Sequence, residues 1–145
     1  MRKFSSLSQC FLFCLVLLFS FKSFATDCPS GGITSSIACT GNISTNDLHV
    51  YGINLNNSSS TNNSKTVNMT GNVTATGVSS SHGINSDNSS GASNTNTVNI
   101  TGNITTIGPL SHSRGIYLTN TQGANNTSVV NMTGDIASSG YFPEG

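Results

Sequence analysis

The feature that most constrains this chain is a four-residue motif that returns at nearly constant spacing. The motif reads Thr-Gly-(Asn/Asp)-(Ile/Val), and its four copies begin at Thr40, Thr70, Thr101 and Thr133. The step from one copy to the next therefore lengthens by one position each time. A repeat of about 30 residues indicates a solenoid, in which each repeat forms one coil that packs on its neighbours.

A second marker, Gly-Ile, divides each repeat into a rigid segment and an elastic one. The rigid segment runs from the Ile of this marker to the Val of the next Val-Asn pair and has the same length in all three repeats: Ile53 to Val67, Ile84 to Val98 and Ile116 to Val130. The elastic segment runs from the Gly of Thr-Gly to the Gly of Gly-Ile and grows by one position per repeat: Gly41 to Gly52, Gly71 to Gly83 and Gly102 to Gly115. We therefore expect a constant ladder of strands with one variable region in each coil.

Apolar and polar residues alternate around the Thr-Gly motif. From Val67 to Thr76, the odd positions read Val, Met, Gly, Val, Ala and the even positions read Asn, Thr, Asn, Thr, Thr. Alternation of this kind predicts a β-strand with one buried face, and its central Gly indicates a corner. The Gly-Ile marker predicts the start of another, shorter strand, and polar tracts such as 56–65 and 86–97 predict turns.

These elements predict an all-β fold, a parallel β-helix with coils of about 31 residues. The polar composition is also compatible with disorder, but the regular placement of the few apolar residues favours an ordered stack. Like residues would stack at about 4.8 Å and form one thin core. The predicted scaffold positions are Gly41, Gly71, Gly102, Gly134, Val67, Val98, Val130, Ile53, Ile84 and Ile116.

Asparagines are predicted to stack in two files. One file contains Asn68, Asn99 and Asn131; the other contains Asn42, Asn72, Asn103 and Asp135. Side-chain amides in such files can hydrogen-bond along the stack. The charge of Asp135 is expected to interrupt the second file.

The segment from Met1 to Ala25 predicts a secretory signal peptide rather than part of the fold. Arg2-Lys3 gives a positive start, positions 11–21 are apolar, and Ser23-Phe24-Ala25 is a cleavage pattern, so we expect cleavage after Ala25. The apolar run is shorter than the ~20 residues of a membrane-spanning helix.

Cys28 and Cys39 would remain after cleavage, and an even pair in an exported chain predicts a disulfide. The predicted organisation is then an N-terminal cap, 26–39, followed by coils 40–69, 70–100 and 101–132 and a partial coil 133–145.

Charge argues against two classes of partner. After cleavage, the cations Lys65 and Arg114 face five carboxyl groups, which gives a net charge of −3. These carboxyl groups belong to Asp27, Asp47, Asp87, Asp135 and Glu144. A chain with two cations cannot neutralise a run of phosphates, so neither nucleic acid nor an anionic membrane surface is an expected partner.

Chemistry-bearing side chains do not cluster in the sequence. Because catalysis needs convergent titratable groups, we expect no enzymatic activity, no catalytic residues and no cofactor. His49, His82 and His112 are expected to be solvated turn residues, and no metal site is predicted. Asn-x-Ser/Thr sequons such as the one at Asn42 are attributed to composition, and the threonine files are too interrupted by asparagine to form an ice-matching plane.

The repeat Val-Asn-(Met/Ile)-Thr-Gly-(Asn/Asp)-Ile-Thr with its Gly-Ile marker, behind a cleavable signal, resembles the passenger region of bacterial autotransporters. The resemblance covers residues 40–140. It implies a right-handed parallel β-helix at the cell surface, exported through a C-terminal outer-membrane β-barrel and often active in adhesion or virulence. Because no barrel strands precede Gly145, we expect a passenger fragment or a truncated relative, which without a barrel would be periplasmic or secreted.

Together these features predict a non-enzymatic, adhesin-like structural and binding module. Its expected partner is a host-surface or extracellular-matrix ligand, or a second copy, with contact through the variable loops that follow each Thr-Gly strand, 78–82 and 109–114. End-to-end association through the exposed last rung is also expected. The alternative is the N-terminal part of a β-helix polysaccharide lyase or hydrolase whose catalytic coils lie downstream.

Overall fold

The computed structural model describes residues 26–57 and 61–144. The predicted signal peptide and its cleavage site after Ala25 lie outside these residues. The described residues form nine β-strands and no helix. The strands are β1 (Thr26–Asp27), β2 (Ile37–Thr40), β3 (Ile43–Asn56), β4 (Ser64–Thr70), β5 (Val73–Asp87), β6 (Thr95–Thr101), β7 (Ile104–Thr119), β8 (Thr127–Thr133) and β9 (Ile136–Glu144).

The strands form two parallel sheets that run side by side along the stack. Sheet A has the order β1-β2-β4-β6-β8, and sheet B has the order β3-β5-β7-β9. Every neighbouring pair is parallel. The chain is therefore a β-solenoid of about three turns with a spacing of about 31 residues, which confirms the predicted all-β parallel β-helix.

Each complete coil contains one short strand and one long strand. The strands of sheet A from β4 onward have 7 residues, whereas β3, β5 and β7 have 14, 15 and 16. The prediction that Gly-Ile starts a separate, shorter strand is wrong. Tyr51 and Ile53, on either side of Gly52, keep their partners His82 and Ile84, so the long strand passes through the marker without a break.

The glycines of the Thr-Gly motif form the corner between the two sheets. Gly71 and Gly102 have φ values of +146° and +147°, a region that side chains disfavour. A Cβ atom at Gly71 would overlap the carbonyl oxygen of Gly41 in the preceding coil, and one at Gly102 would overlap that of Gly71. The side chain is therefore absent because coils meet closely along the stack, and not because the core lacks room.

The core is a thin column between the two sheets. Val67 stacks on Val98, and Ile53 stacks on Ile84, and all four are buried. Val130 and Ile116 continue these files but are only partly buried. The predicted scaffold positions therefore lie where stacking places them, and burial declines toward the last coil.

Buried asparagines hold the turns that lead from sheet B back to sheet A. The Asn63 N–H donates to Asn94 Oδ1 at 3.0 Å, and the Asn94 N–H donates to Asn126 Oδ1 at 2.9 Å. Asn57 Nδ2 donates to Asn96 Oδ1 at 2.7 Å inside the same turns. The sequence predicted turns here, but their construction from buried amides was missed.

Candidate binding surface

A disulfide joins Cys28 to Cys39 at the N-terminal end of the stack, with their Cα atoms 5.0 Å apart. Cys39 lies in the core, and Cys28 packs against it. The Cys28 N–H also donates to Thr40 O at 2.9 Å. The bond therefore fastens the segment that follows β1 onto β2.

The growing segment of each repeat lies in sheet B, where every pairing contains a register shift. Asp47 to His49 lies opposite Gly77 to Ser80, so the second coil has one residue more than the first. The third coil adds another between Ile107 and Ser113. These extra residues are β-bulges within long strands.

The two segments that were predicted as binding loops, 78–82 and 109–114, are these bulged strand segments. The prediction that they form loops is wrong, because the residues on both sides of each bulge remain paired. A bulge absorbs an extra residue by bending outward and lets the ladder resume in its original register. The side chains at the bulges are therefore held by a rigid strand.

The bulges carry three exposed apolar side chains, which we call the apolar ridge: Leu48, Val78 and Leu110. Their exposed fractions are 56%, 48% and 72%. They occur at the irregular position of three successive coils. Three exposed side chains of this size on neighbouring coils form a candidate contact surface.

An aromatic stack runs beside the ridge. The ring of His82 lies between Tyr51, with ring centroids 5.2 Å apart, and Tyr117, at 5.4 Å, and each pair has an interplanar angle of 18°. His82 is only 7% exposed. The expectation that His82 is a solvated turn residue is wrong, because His82 lies in β5 with its ring between that of Tyr51, its partner on β3, and that of Tyr117 on β7, which pairs with Asn85.

The other two histidines lie in strands rather than turns, so their expected turn position is wrong, although both are exposed as expected. His49 is exposed on β3 and shares a hydrogen bond with Ser80 of the next coil, with 3.0 Å between Nδ1 and Oγ. His112 is exposed on β7, one residue before Ser113, the partner of Ser81. The imidazoles therefore lie along the same bulged band as the ridge.

A guanidinium group completes this band. The Cζ atom of Arg114 lies 4.6 Å from the ring centroid of Tyr117, which is the geometry of a cation–π contact. We call the whole band the sheet B stripe; it comprises Leu48, Val78, Leu110, His49, Ser80, His112, Tyr51, His82, Tyr117 and Arg114.

Two carboxylates near this band accept hydrogen bonds from backbone N–H groups one or two residues away. Asp47 Oδ1 accepts from the Leu48 N–H at 2.6 Å, and Asp87 Oδ1 accepts from the Ser89 N–H at 2.8 Å. Within residues 26–57 and 61–144, no three His, Cys, Asp or Glu side chains come together as a metal site would require.

The outer face of sheet A presents the first predicted asparagine file. Asn99 Nδ2 donates to Asn68 Oδ1 at 2.7 Å, and Asn131 Nδ2 donates to Asn99 Oδ1 at 2.8 Å. This amide ladder lines a shallow groove of about 530 Å³ that extends over four strands. The hydrogen bonds predicted for this file are confirmed.

The second file works through the backbone and is not interrupted by Asp135. Its side-chain oxygens accept from the backbone N–H of the next coil: the Asn103 N–H donates to Asn72 Oδ1, and the Asp135 N–H donates to Asn103 Oδ1. Only the backbone of Asp135 is needed at this step. The expected break at Asp135 is therefore wrong.

Sequence reasoning missed the sheet B stripe because no motif marks it. Its residues differ from coil to coil, and their spacing is offset by the bulges. The signal that was available is the growth of the elastic segment by one position in each repeat, since that segment contains the ridge and the histidines.

Comparisons with known proteins found no match to a protein-family model, to a curated protein or to a solved structure. Among the described residues there is no helix with the length and hydrophobicity that a membrane crossing needs.

Proposed function

We propose that this chain is part of an exported, non-enzymatic scaffold that binds a macromolecular ligand through the sheet B stripe. The observation that carries the proposal is the convergence of side chains on this stripe. It contains all three histidines of the chain, two of its three tyrosines, Arg114 and the apolar ridge. The neighbouring face of sheet A presents mainly Asn and Thr.

The residue types on the stripe are those that carry binding energy at protein surfaces. Tyr and Arg are enriched among the residues that dominate interfaces, and exposed aliphatic side chains add area that is removed from water on contact. Because parallel ladders flank the bulges, these side chains are held in place before the ligand arrives. Preorganisation of this kind lowers the entropy cost of binding.

The repeat motif and the β-solenoid support a place among proteins like autotransporter passengers. We propose an adhesin-like, virulence-associated role, with a host-surface or extracellular-matrix ligand as the partner and no cofactor. Such a passenger lies at the cell surface when it is joined to an outer-membrane barrel, and is otherwise periplasmic or secreted.

The test is binding of the purified chain to immobilised extracellular-matrix proteins and to cultured host cells. The triple variant Leu48→Ser, Val78→Ser, Leu110→Ser removes the ridge and is expected to weaken binding about a hundredfold or more, because apolar contacts at an interface centre are worth about 1–2 kcal/mol each. Val129→Ser is the matched control, since Val129 is an exposed aliphatic residue on sheet A.

Three results would contradict the proposal. Equal binding by the ridge variant and the control would place the contact elsewhere. Absence of binding by the folded wild-type chain to every surface in the panel would argue against a binding module. Depolymerisation of a polysaccharide by the same preparation would contradict a non-enzymatic role.

A further inference from the structure

The N-terminal end of the solenoid is covered by a coil that is shorter than the one beneath it. Asp27 lies over Thr40 in sheet A, and Ile33 lies over Ile53 in sheet B. The path from Asp27 to Ile33 is therefore much shorter than the path from Thr40 to Ile53 beneath it. The difference is about seven residues, or about 23 Å of extended strand.

The missing stretch corresponds to the first half of β3. β3 is an edge strand of sheet B, and on its outer side the only partner among the described residues is Ile33. The Ile33 N–H donates to Gly52 O at 2.9 Å, and Ile33 O accepts from the Asn54 N–H at 2.7 Å. We call the remaining part of this edge, residues 44–50, the edge slot.

The backbone of the edge slot has groups aimed away from the solenoid. The Ile43 N–H donates to Asn72 O in the second coil at 2.8 Å. Because alternate residues of a parallel strand turn their N–H and C=O groups to opposite neighbours, Ser44 and Asn46 turn theirs toward the uncovered side. An added strand would meet these groups in the register that β5 uses on the other side.

A cavity of about 630 Å³ lies against the edge slot. The covering segment, 30–34, lines one side of it, and residues 44–47 with 49–51 line the other. The edge slot therefore combines an open strand edge with an adjoining cavity.

A buried hydroxyl in this cavity has no partner. Thr45 is 8% exposed, and its Oγ1 atom makes no hydrogen bond to the described residues. Two coils further on, Thr106 in the same file shares a hydrogen bond with Ser138 Oγ at 2.8 Å. The neighbour of Thr45 is Ala75, which has no hydroxyl, so a partner for Thr45 has to come from the uncovered side.

The geometry favours one strand over a second copy of the solenoid. A copy stacked end to end would need room over both sheets. Over sheet A the place is taken by β1, whose two residues pair with Cys39 and Thr40, and the Cys28–Cys39 disulfide holds the chain there. Among residues 26–57 and 61–144, the longer uncovered edge is residues 44–50 of β3, since β1 leaves only Ile37 and Ala38 of β2 without a strand partner on that side.

We propose that the edge slot binds an extended peptide segment of another polypeptide, about seven residues long, which completes the first coil by parallel strand addition. A small hydroxyl side chain over Thr45 would supply the missing hydrogen bond. Asp47 is the only carboxylate that lines the cavity. It therefore favours a basic side chain in the bound peptide, two residues after the one that lies over Thr45. This site does not depend on the ligand proposed for the stripe, although Leu48 and His49 belong to both and Tyr51 of the stripe lines the cavity.

The chain itself supplies a probe for this proposal. A capped peptide of residues 103–108 with Gly108→Lys would place Thr106 over Thr45 and the lysine over Asp47, as β7 would stack in that position. The control is the same peptide N-methylated at Thr106. N-methylation removes the one N–H that would donate to Ser44 O, and it leaves the side chains unchanged.

Amide hydrogen exchange and ¹⁵N chemical shifts of the labelled full chain measure the result. We expect a Kd of about 1 mM or tighter and, at a peptide concentration ten times Kd, about tenfold slower exchange at the Ser44 and Asn46 amides. The N-methylated peptide should give no protection. Thr45→Ala should weaken binding severalfold without changing the fold, since Ala75 already occupies the same file in the next coil.

Several outcomes would overturn the proposal. Unchanged exchange at Ser44 and Asn46, with the rest of sheet B intact, would mean that the edge does not accept a strand. Equal protection by the N-methylated peptide would mean that binding does not use the ladder. Protection of these amides that grows with protein concentration and needs no peptide would identify a second copy as the occupant.

Discussion

The two sheets of this solenoid accommodate the same lengthening repeat in different ways. In sheet A, β2, β4, β6 and β8 pair without any register shift, and Asn68, Asn99 and Asn131 hydrogen-bond in an unbroken file. In sheet B, each of the three strand pairings contains a shift. The residues added in the second and third coils, and the two fewer in β9, therefore all fall in one sheet.

The difference follows from the period of a β-strand. A slip of one residue exchanges the inward and outward faces, so a strand that is buried on one side must keep its register. A bulge accommodates one extra residue by projecting it outward, so the residues on both sides keep their faces. Positions at the bulges can then vary without loss of the core. The ridge lies at the bulges, and the aromatic stack lies just beyond them, where the ladder has resumed.

Single-residue deletions are expected to show the largest difference in stability between the two sheets. Deletion of Asn99 from β6 would turn the residues on one side of it to the opposite face, and we expect loss of the cooperative fold. Deletion of Leu110 only shortens a bulge toward the length it has in the second coil, so we expect unfolding free energy to change by about 1–2 kcal/mol. Urea denaturation followed by circular dichroism measures both, and equal destabilisation would contradict the division between the sheets.

Alanine at two glycines compares the corner with the bulge. Gly102→Ala would force a side chain into the carbonyl of Gly71 at a φ of +147°, and we expect a loss of about 3 kcal/mol or more. A Cβ at Gly108 would meet Ser113 Oγ at 2.9 Å, a side-chain atom that can move only by giving up its buried hydrogen bond to Ser81 Oγ, so Gly108→Ala should cost about 1–2 kcal/mol. The same denaturation experiment measures both losses of unfolding free energy. A larger loss for Gly108→Ala than for Gly102→Ala would mean that the bulge, and not the corner, is the position that tolerates less change.

Reduction of the disulfide compares the N-terminal end of sheet A with an inner strand of sheet B. Breaking Cys28–Cys39 should lower the unfolding free energy by about 2–3 kcal/mol, the value expected for a loop of 11 residues. Amide exchange should rise first in β2, which the bond holds, and later in β5. The double variant Cys28→Ser, Cys39→Ser serves as a control for the reductant, and early exchange in β5 would mean that the bond supports both sheets equally.

The smallest effects are expected from single outward side chains. Asn99→Ala removes two rungs of the amide ladder, to Asn68 and from Asn131, and should cost about 1 kcal/mol of unfolding free energy. His49→Ala removes one exposed hydrogen bond to Ser80 and should cost less. Thermal denaturation resolves the order, and a larger loss at His49 would show that the bulged face also supports the fold.

The regular part of the molecule was predictable because its signals repeat. Val67, Val98 and Val130 recur with the same neighbours, and alternation assigns them to one face of one strand. The Thr-Gly motif likewise marked the corner correctly, although its glycine is required by the close approach of the preceding coil. The turns were predicted by composition, but the buried hydrogen bonds of Asn94 and Asn96 were not.

The irregular part was not predictable from the same signals. Segments 78–82 and 109–114 vary in length, which favours loops in a sequence, and no local pattern distinguishes a loop from a bulge. His82 was assigned to a turn for this reason. Its burial depends on Tyr51 and Tyr117, which belong to the preceding and following repeats and become its neighbours only through stacking.

The sequence by itself determined the class of fold, the period of the coil and the identity of the stacking files, because alternation and spacing are local properties of the chain. Only the tertiary structure decided that one sheet takes up every added residue, that a stripe of dissimilar side chains results, and that no strand of residues 26–57 and 61–144 covers the edge at 44–50. These features depend on which residues of different coils lie side by side. Parallel stacking sets that relation, and no single repeat contains it.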